Sequence, residues 1–306
     1  LSTLAARDFG FIAPGELLRR LDVSLASMAL LERWKGHFLA AYDSATLAPV
    51  EPACVSTRES GWMALGLRLL AVGLDELPDA PVSGPPALDG IRAAVQVVDE
   101  LVQHQAHGVR ALVAEVWGAL DPQRCRAADT LPGLAECLRH IVAAGEALHA
   151  GLPRAGLEDD DLLRDWAARL VAQCHALQDD LLELAPWMRA EQEFVLDAGL
   201  TRIPTLRELA AFEPLPGMHP GLARHVRDGR EHARKLMKRF ASLAAQARGF
   251  AAMDFTALFD PATCLLALGC HVREERLDTD SCDLLASEAC MASYMAVAQG
   301  QLGQRH

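Results

Sequence analysis

Apolar side chains recur at helical spacing along the first part of the chain. After Pro14 they lie at Leu17, Leu21, Leu25, Met28 and Leu31. Steps of three and four residues place such side chains on one face of an α-helix, and proline suits a first helical turn. The pattern predicts an amphipathic helix that ends near residues 34–36 and a second helix over about 60–77.

The middle of the chain continues this periodicity. It predicts further helices over about 88–120, 132–150, 158–185 and 219–250, with prolines between them. The Pro- and Gly-rich segment 75–90 separates them from the first two helices and is the clearest internal boundary.

Two segments depart from the helical pattern. Residues 36–59 contain Gly36, Pro49, Pro52 and several serines and threonines, which predicts a loop long enough to be functional. An apolar run followed by a charged turn predicts one short β-hairpin over 264–277. A last helix is then expected from about residue 281 to residue 298.

Composition agrees with a mainly α protein. The 306 residues are 51% hydrophobic and only 5% aromatic, and Ala and Leu, which favour helices, dominate. A net charge of −12 argues against nucleic acid as a partner. The longest apolar run, 61–74, is shorter than the ~20 residues of a spanning helix. Because the chain begins with Leu1 rather than Met, we expect a fragment or a trimmed product.

The eight cysteines form no CxxC pair. We therefore expect free, largely buried thiols and a reducing, cytoplasmic setting. Four cysteines and a histidine cluster in the sequence near its end, but their spacing matches no common zinc pattern. They are Cys264, Cys270, His271, Cys282 and Cys290. Neither a metal nor a cofactor is predicted.

Two segments carry a more specific signal. Residues 33–61 read RWKGHFLAAYDSATLAPVEPACVSTRESG, and residues 277–301 read LDTDSCDLLASEACMASYMAVAQGQ. Both resemble the glucoamylase-like transglycosylation region of cyclic β-1,2-glucan synthases, in which the string DLLASEA is identical to residues 283–289. Shorter matches at 5–11, 203–210 and 253–261 follow the family order. The resemblance spans nearly the whole chain and corresponds to the front part of that catalytic region.

The resemblance implies a mainly α fold that contains a partial (α/α) toroid of the glucoamylase-like type. Residues 1–77 would form the first helices and loop of the toroid. A helical bundle over 78–252 would be inserted, and 253–306 would contribute the β-hairpin and the toroid helix with DLLASEA.

The resemblance also implies a function. In the intact protein this region would cut linear β-1,2-glucan and join its ends into a ring, while a membrane-embedded part would elongate the chain from UDP-glucose. The implied partners are β-1,2-glucan and the remainder of a membrane-bound synthase. The chain would then be a soluble, cytoplasmic part of an inner-membrane synthase. The alternative is a non-catalytic helical scaffold or interaction module derived from the same fold.

Glycoside cleavage uses two carboxyl groups on either side of the scissile bond. By resemblance, Glu288 is the general acid/base, and its apolar neighbours would raise its pKa toward that of a useful acid. Without the resemblance, an ordinary helical glutamate with contacts four residues away is the favoured interpretation. The partner carboxylate belongs to a later motif that the chain does not reach, so we expect no activity from the chain alone. Whether the chain itself is an enzyme stays open.

Further residues match the family segments as candidates for substrate binding. They are His37, Tyr42, Asp43, Glu59 and Asp283. Carboxylates accept hydrogen bonds from sugar hydroxyls. Aromatic rings can stack on a glucose face, so Tyr42, Trp34 and Trp62 are stacking candidates. Tryptophans placed like Trp34 and Trp62 are more often core residues at helix ends.

The chain also departs from the family pattern beside these positions. Ala40 and Ala41 replace an asparagine and a tryptophan, and Ser281, Cys282 and Cys290 replace two tyrosines and an arginine. These losses weaken the case for catalysis.

Overall fold

The computed structural model describes residues 1–103, 107–155, 160–189, 196, 198–280 and 289–304. Most of these residues are helical and the strands are short, so the predicted mainly α class is confirmed. The helices are α1 Ser2–Asp8, α2 Pro14–Leu30, α3 Thr57–Glu76, α4 Pro85–Val102, α5 His107–Ala119, α6 Leu131–Gly151, α7 Asp161–Leu184, α8 Ala198–Thr201, α9 Leu206–Ala211, α10 Pro220–Ala251 and α11 Cys290–Ala298. The strands are β1 Arg33–Trp34, β2 His37–Phe38, β3 Cys54–Ser56, β4 Phe259–Asp260, β5 Leu265–Leu266, β6 Gly269–His271 and β7 Arg276–Leu277.

The chain divides into two compact units. The first, here called the sheet unit, contains Leu1, residues 21–75 and residues 240–306. The second, the bundle unit, contains residues 2–20 and 76–239. The predicted domain limits at 77 and 252, and the toroid itself, stay predictions.

Helices α4 to α7 form the centre of the bundle unit. Helix α4 packs on α5 and α7, and α6 packs on the same two helices. The inner face of α6 is fully buried at Leu131, Leu134, Leu138 and Ile141, which recur at helical spacing. Each such side chain contributes about 1.5–3 kcal/mol by leaving water.

Local capping explains where these helices begin. The side chain of Thr130 accepts a hydrogen bond from the backbone N–H of Gly133 at the start of α6. Asp160 caps α7 in the same way through Leu163. Each cap satisfies a backbone donor that has no partner inside the helix. The predicted helices at 132–150, 158–185 and 219–250 are confirmed within a few residues as α6, α7 and α10.

One disulfide bond contradicts the expectation that all thiols are free. Cys125 and Cys137 are bonded, with their Cα atoms 5.6 Å apart. Cys137 lies on α6 and Cys125 in the turn that precedes it. The turn brings the two together, and sequence spacing alone gave no sign of this. Among the described cysteines, Cys54, Cys174 and Cys270 are free and wholly or partly buried.

The connection between α3 and α4 is shorter than the linker predicted over 75–90. Helix α3 continues to Glu76 and α4 begins at Pro85. Between them, Leu77 and Val82 are buried, and the Val82 N–H donates to the Pro204 carbonyl oxygen. The apolar residues of this segment therefore belong to the core of the bundle unit.

The sheet unit contains more β structure than the single predicted hairpin. The predicted β6–β7 hairpin is present, but β3 adds to its other edge with Cys54 opposite His271 and Val55 opposite Cys270. Two further two-stranded sheets, β1–β2 and β4–β5, form within the described residues. Pairing of β3 with β6 joins residues more than 200 positions apart, so no local pattern could indicate it.

Helix α2 is shorter than the helix predicted to end near residues 34–36. Helix α2 ends at Leu30, and residues 33–38 then form the β1–β2 hairpin, whose turn places Lys35 and Gly36 at positive φ. None of the described helices is long and apolar enough to cross a membrane.

Candidate functional site

His37 is held in the interior of the sheet unit. Its side chain is fully buried at 0% exposure, and its ring meets the Phe255 ring edge to face at 5.2 Å between centroids. Its Nε2 lies 2.9 Å from the Asp254 carbonyl oxygen. Because a carbonyl oxygen only accepts, Nε2 carries the proton. Burial lowers the pKa of the imidazole, so His37 is neutral and fixes the β1–β2 hairpin to residues 254–255.

Gly36 has an equally local role. It adopts φ +88°, and a Cβ there would lie 2.5 Å from the Ala252 carbonyl oxygen. The Asp254 N–H also donates to the Lys35 carbonyl oxygen at 3.1 Å. Gly36 is therefore needed for the close approach of this hairpin to the backbone of residues 252–254.

Tyr42 and Asp43 organise the loop that follows. The Tyr42 hydroxyl accepts from the Leu39 N–H and donates to the Glu32 carbonyl oxygen, both at 2.7 Å. Asp43 is exposed, and its Oδ1 accepts from the Thr46 N–H at 2.7 Å and from the Thr46 hydroxyl at 2.8 Å. These bonds hold the pKa of Asp43 below its usual value. The Tyr42 hydroxyl is thus engaged by the backbone, whereas Asp43 stays ionised at the surface.

Glu59 and Trp62 lie in the first turns of α3. Glu59 is exposed, and 51% of Trp62 is exposed, so Trp62 is not a core residue here. Between them, Gly61 touches the start of α11, because a Cβ at 61 would lie 2.3 Å from the Ala292 backbone nitrogen. We call this contact the α3–α11 junction.

The junction brings the two family-like segments together. Residues 54–61 come from the first, and residues 289–294 come from the second. Glu288 and Asp283 lie outside the described residues; the described chain resumes at Ala289, which is fully buried. Tyr294, on α11, is 61% exposed. An exposed carboxylate (Glu59) and an exposed aromatic ring (Trp62) therefore lie on α3, and a second exposed ring (Tyr294) lies on α11.

Sequence reasoning missed one cluster of reactive groups. Cys54 Sγ lies 3.4 Å from His271 Nδ1, and His271 Nε2 lies 3.3 Å from Asp278 Oδ1. Only the β3–β6–β7 register places them together. Burial, and then the carboxylates of Asp278 and Glu51, raise the pKa of the Cys54 thiol. The thiol therefore stays protonated, and the cluster is a hydrogen-bonded support for the sheet.

The described residues contain no group of three or more His, Cys, Asp and Glu side chains arranged to hold a metal ion. The groups available on the two helices of the α3–α11 junction are instead an exposed carboxylate and exposed aromatic rings.

Comparison with known proteins shows similarity to a part of one glucan synthase. A cyclic beta-(1,2)-glucan synthase is 28% identical over 313 residues, an alignment that covers the whole of this chain. That relative is NdvB of Rhizobium meliloti (strain 1021), and this chain spans only 10% of its length. The predicted resemblance is confirmed as a partial and divergent match. No family model matches the chain.

Proposed function

We propose that the chain is part of the glucoamylase-like transglycosylation region of a cyclic β-1,2-glucan synthase. In the intact protein this region would act on linear β-1,2-glucan to form cyclic glucan. The observation that carries the proposal is the α3–α11 junction, where Gly61 and Ala292 bring the two family-like segments into contact. Similarity to NdvB along the whole chain supports it.

The proposed roles of Glu288 and Asp283 follow from the family resemblance, and those of the described residues follow from exposure and charge. Glu288 is the general acid/base, and Asp283 binds substrate. Glu59 accepts hydrogen bonds from sugar hydroxyls, and Trp62 offers a ring face for stacking. Asp43, kept ionised by its turn, is a further acceptor. His37 and Tyr42 act indirectly, because His37 Nε2 and the Tyr42 hydroxyl bond the backbone and hold the loop that carries Asp43.

Cleavage with retention needs a second carboxylate about 5–5.5 Å from the acid. In the proposal this group comes from a part of the synthase beyond the present chain. The chain alone would bind glucan and have no turnover. The association with a membrane-bound remainder, and a cytoplasmic location, belong to the same proposal.

Isothermal titration calorimetry of the chain with linear β-1,2-glucan measures the binding affinity and tests the proposal. We expect W62A to weaken binding up to about tenfold, since an aromatic contact contributes roughly 0.5–1.5 kcal/mol. E59Q should weaken binding too. Leu69→Ala and Glu76→Gln are matched controls, because both positions are exposed on α3. Absence of glucan binding in a folded wild-type chain, or equal losses in the controls, would contradict the proposed site.

The second candidate is a non-catalytic interaction module. Its support is an exposed apolar stripe on α3, where Leu69 is 48% and Val72 is 51% exposed. Large exposed apolar patches typically mark interaction surfaces. Glucan-independent association that is lost in a Leu69→Ser, Val72→Ser double variant would favour this candidate.

A further inference from the structure

A cavity of about 620 Å³, open to solvent on one side, lies in the bundle unit between the segment that leads into α2, helix α4 and helix α7. This volume falls in the range of about 300–1,000 Å³ typical of small-molecule sites. None of its lining residues belongs to the proposed glucan site.

Close backbone packing forms one wall. Gly10 adopts φ +75°, and a Cβ there would lie 1.9 Å from the Pro86 carbonyl oxygen. Gln173 on α7 donates from Nε2 to the Gly10 carbonyl oxygen at 2.8 Å. The Gly15 N–H donates to Asp180 at 2.7 Å. The segment that carries Phe11 and Ile12 is therefore tied to both helices, so the cavity exists without a ligand.

Small side chains leave the space open. Both helices present alanines to the cavity, with larger aliphatic residues beside them. The lining includes Ala93, Ala94 and Val97 of α4, and Leu170, Ala172 and Ala176 of α7. Such walls offer no hydrogen-bond partners, so they suit an apolar molecule and leave sugar hydroxyls unpaired.

Two arginines stand at the edge of this apolar space. Arg20 donates through Nε to Glu16 at 2.6 Å, and Arg169 donates through Nε to Asp165 at 2.8 Å. Each partner lies four residues earlier on the same helix. A guanidinium has five N–H donors, so each arginine retains donors for a further anion.

The charged side chains that line the cavity are Arg20, Arg169 and Glu16, whereas the whole chain carries a net charge of −12. Glu16 is ionised, because hydrogen bonds from Arg19 and then Arg20 lower its pKa to about 2. The three charged lining side chains together carry one net positive charge, and the carboxylates of Asp165 and Asp180 lie beside them.

We propose that this cavity binds an amphiphile of the fatty-acid class. The alkyl chain lies among the alanines and Leu170, with Phe11 and Trp166 at the sides, and the carboxylate bonds Arg20 and Arg169. This site would act independently of the glucan site.

Isothermal titration with dodecanoate below its micellar concentration tests the proposal. We expect saturable binding with one site per chain, and weaker binding of dodecyltrimethylammonium. The double variant R20Q/R169Q should lower dodecanoate affinity by at least about tenfold, since paired charges give part of the affinity. R164Q is the matched control, because Arg164 is exposed on α7, pairs with Asp161 and does not line the cavity.

Filling the cavity tests the place of binding. A93F should abolish dodecanoate binding. A172F should also abolish it, and because Ala172 is exposed this substitution should not impair folding. Dodecanoate binding unchanged in a folded A172F variant would overturn the proposal, as would equal losses in R164Q. Displacement of dodecanoate by linear β-1,2-glucan would show a sugar site instead. The glucan titrations described above use other variants, so a negative result for one proposal leaves the other untouched.

Discussion

Asp180 on α7 offers a sharp test of the packing at the start of α2. Its carboxylate is mostly buried and accepts one hydrogen bond, from the Gly15 N–H at 2.7 Å. Burial, with the nearby negative charges of Glu183, Asp179 and Glu16, raises the pKa of Asp180 from 3.8 to about 6. The hydrogen bond from Gly15 offsets only part of this effect.

The sign of the effect follows from proton linkage. Between pH 3.8 and about 6, the folded chain holds a proton at Asp180 that the unfolded chain has released. Raising the pH through this interval therefore destabilises the folded protein. The rise in the pKa of Asp180 from 3.8 to about 6 lowers the free energy of unfolding by about 3 kcal/mol at pH 7.5, and about 1 kcal/mol of this is already lost at pH 4.5.

Asp180→Asn removes the charge and keeps an oxygen to accept from Gly15. We expect it to raise the free energy of unfolding by up to about 3 kcal/mol at pH 7.5, and by about 2 kcal/mol less at pH 4.5. Urea unfolding followed by circular dichroism at both values measures this. Asp179→Asn is the matched control and should change little, because Asp179 is exposed. A D180N variant that is less stable than the wild type at pH 7.5, or has the same gain at both values, would refute the reasoning.

Three further predictions concern the sheet unit and the whole chain. Gly61→Ala should lower the free energy of unfolding, measured by urea titration, by about 2 kcal/mol or more, because the new Cβ would overlap the Ala292 backbone. Gly66→Ala on the same helix is the control: there is space for its Cβ, so it should be neutral or stabilising. Iodoacetamide should alkylate Cys54 more slowly than the exposed Cys264 at pH 8, as mass spectrometry of peptides would show, because the Cys54 thiol has a raised pKa. The isolated chain should form no cyclic or shortened product from linear β-1,2-glucan on chromatography; robust turnover would mean that it holds both catalytic carboxylates.

The candidate site shows how far residue patterns reach. Resemblance located the segments that contain Asp43, Glu59 and Trp62, and these side chains are exposed. It also selected His37, which the fold buries completely. A histidine in a polar, glycine-containing segment looks the same in sequence whether its ring faces solvent or Phe255. Only the docking of the β1–β2 hairpin on residues 252–255 decides between these roles.

The sequence by itself determined the features that depend on neighbours a few residues apart. Helical periodicity, the Thr130 and Asp160 caps, and the turn before β7 are set by contacts within four residues, so local patterns reveal them. The tertiary structure decided the β3–β6 pairing, the Cys54–His271 contact and the cavity between α4 and α7. Each of these joins residues far apart in the chain. Their formation depends on burial summed over the whole fold, which no window of residues contains.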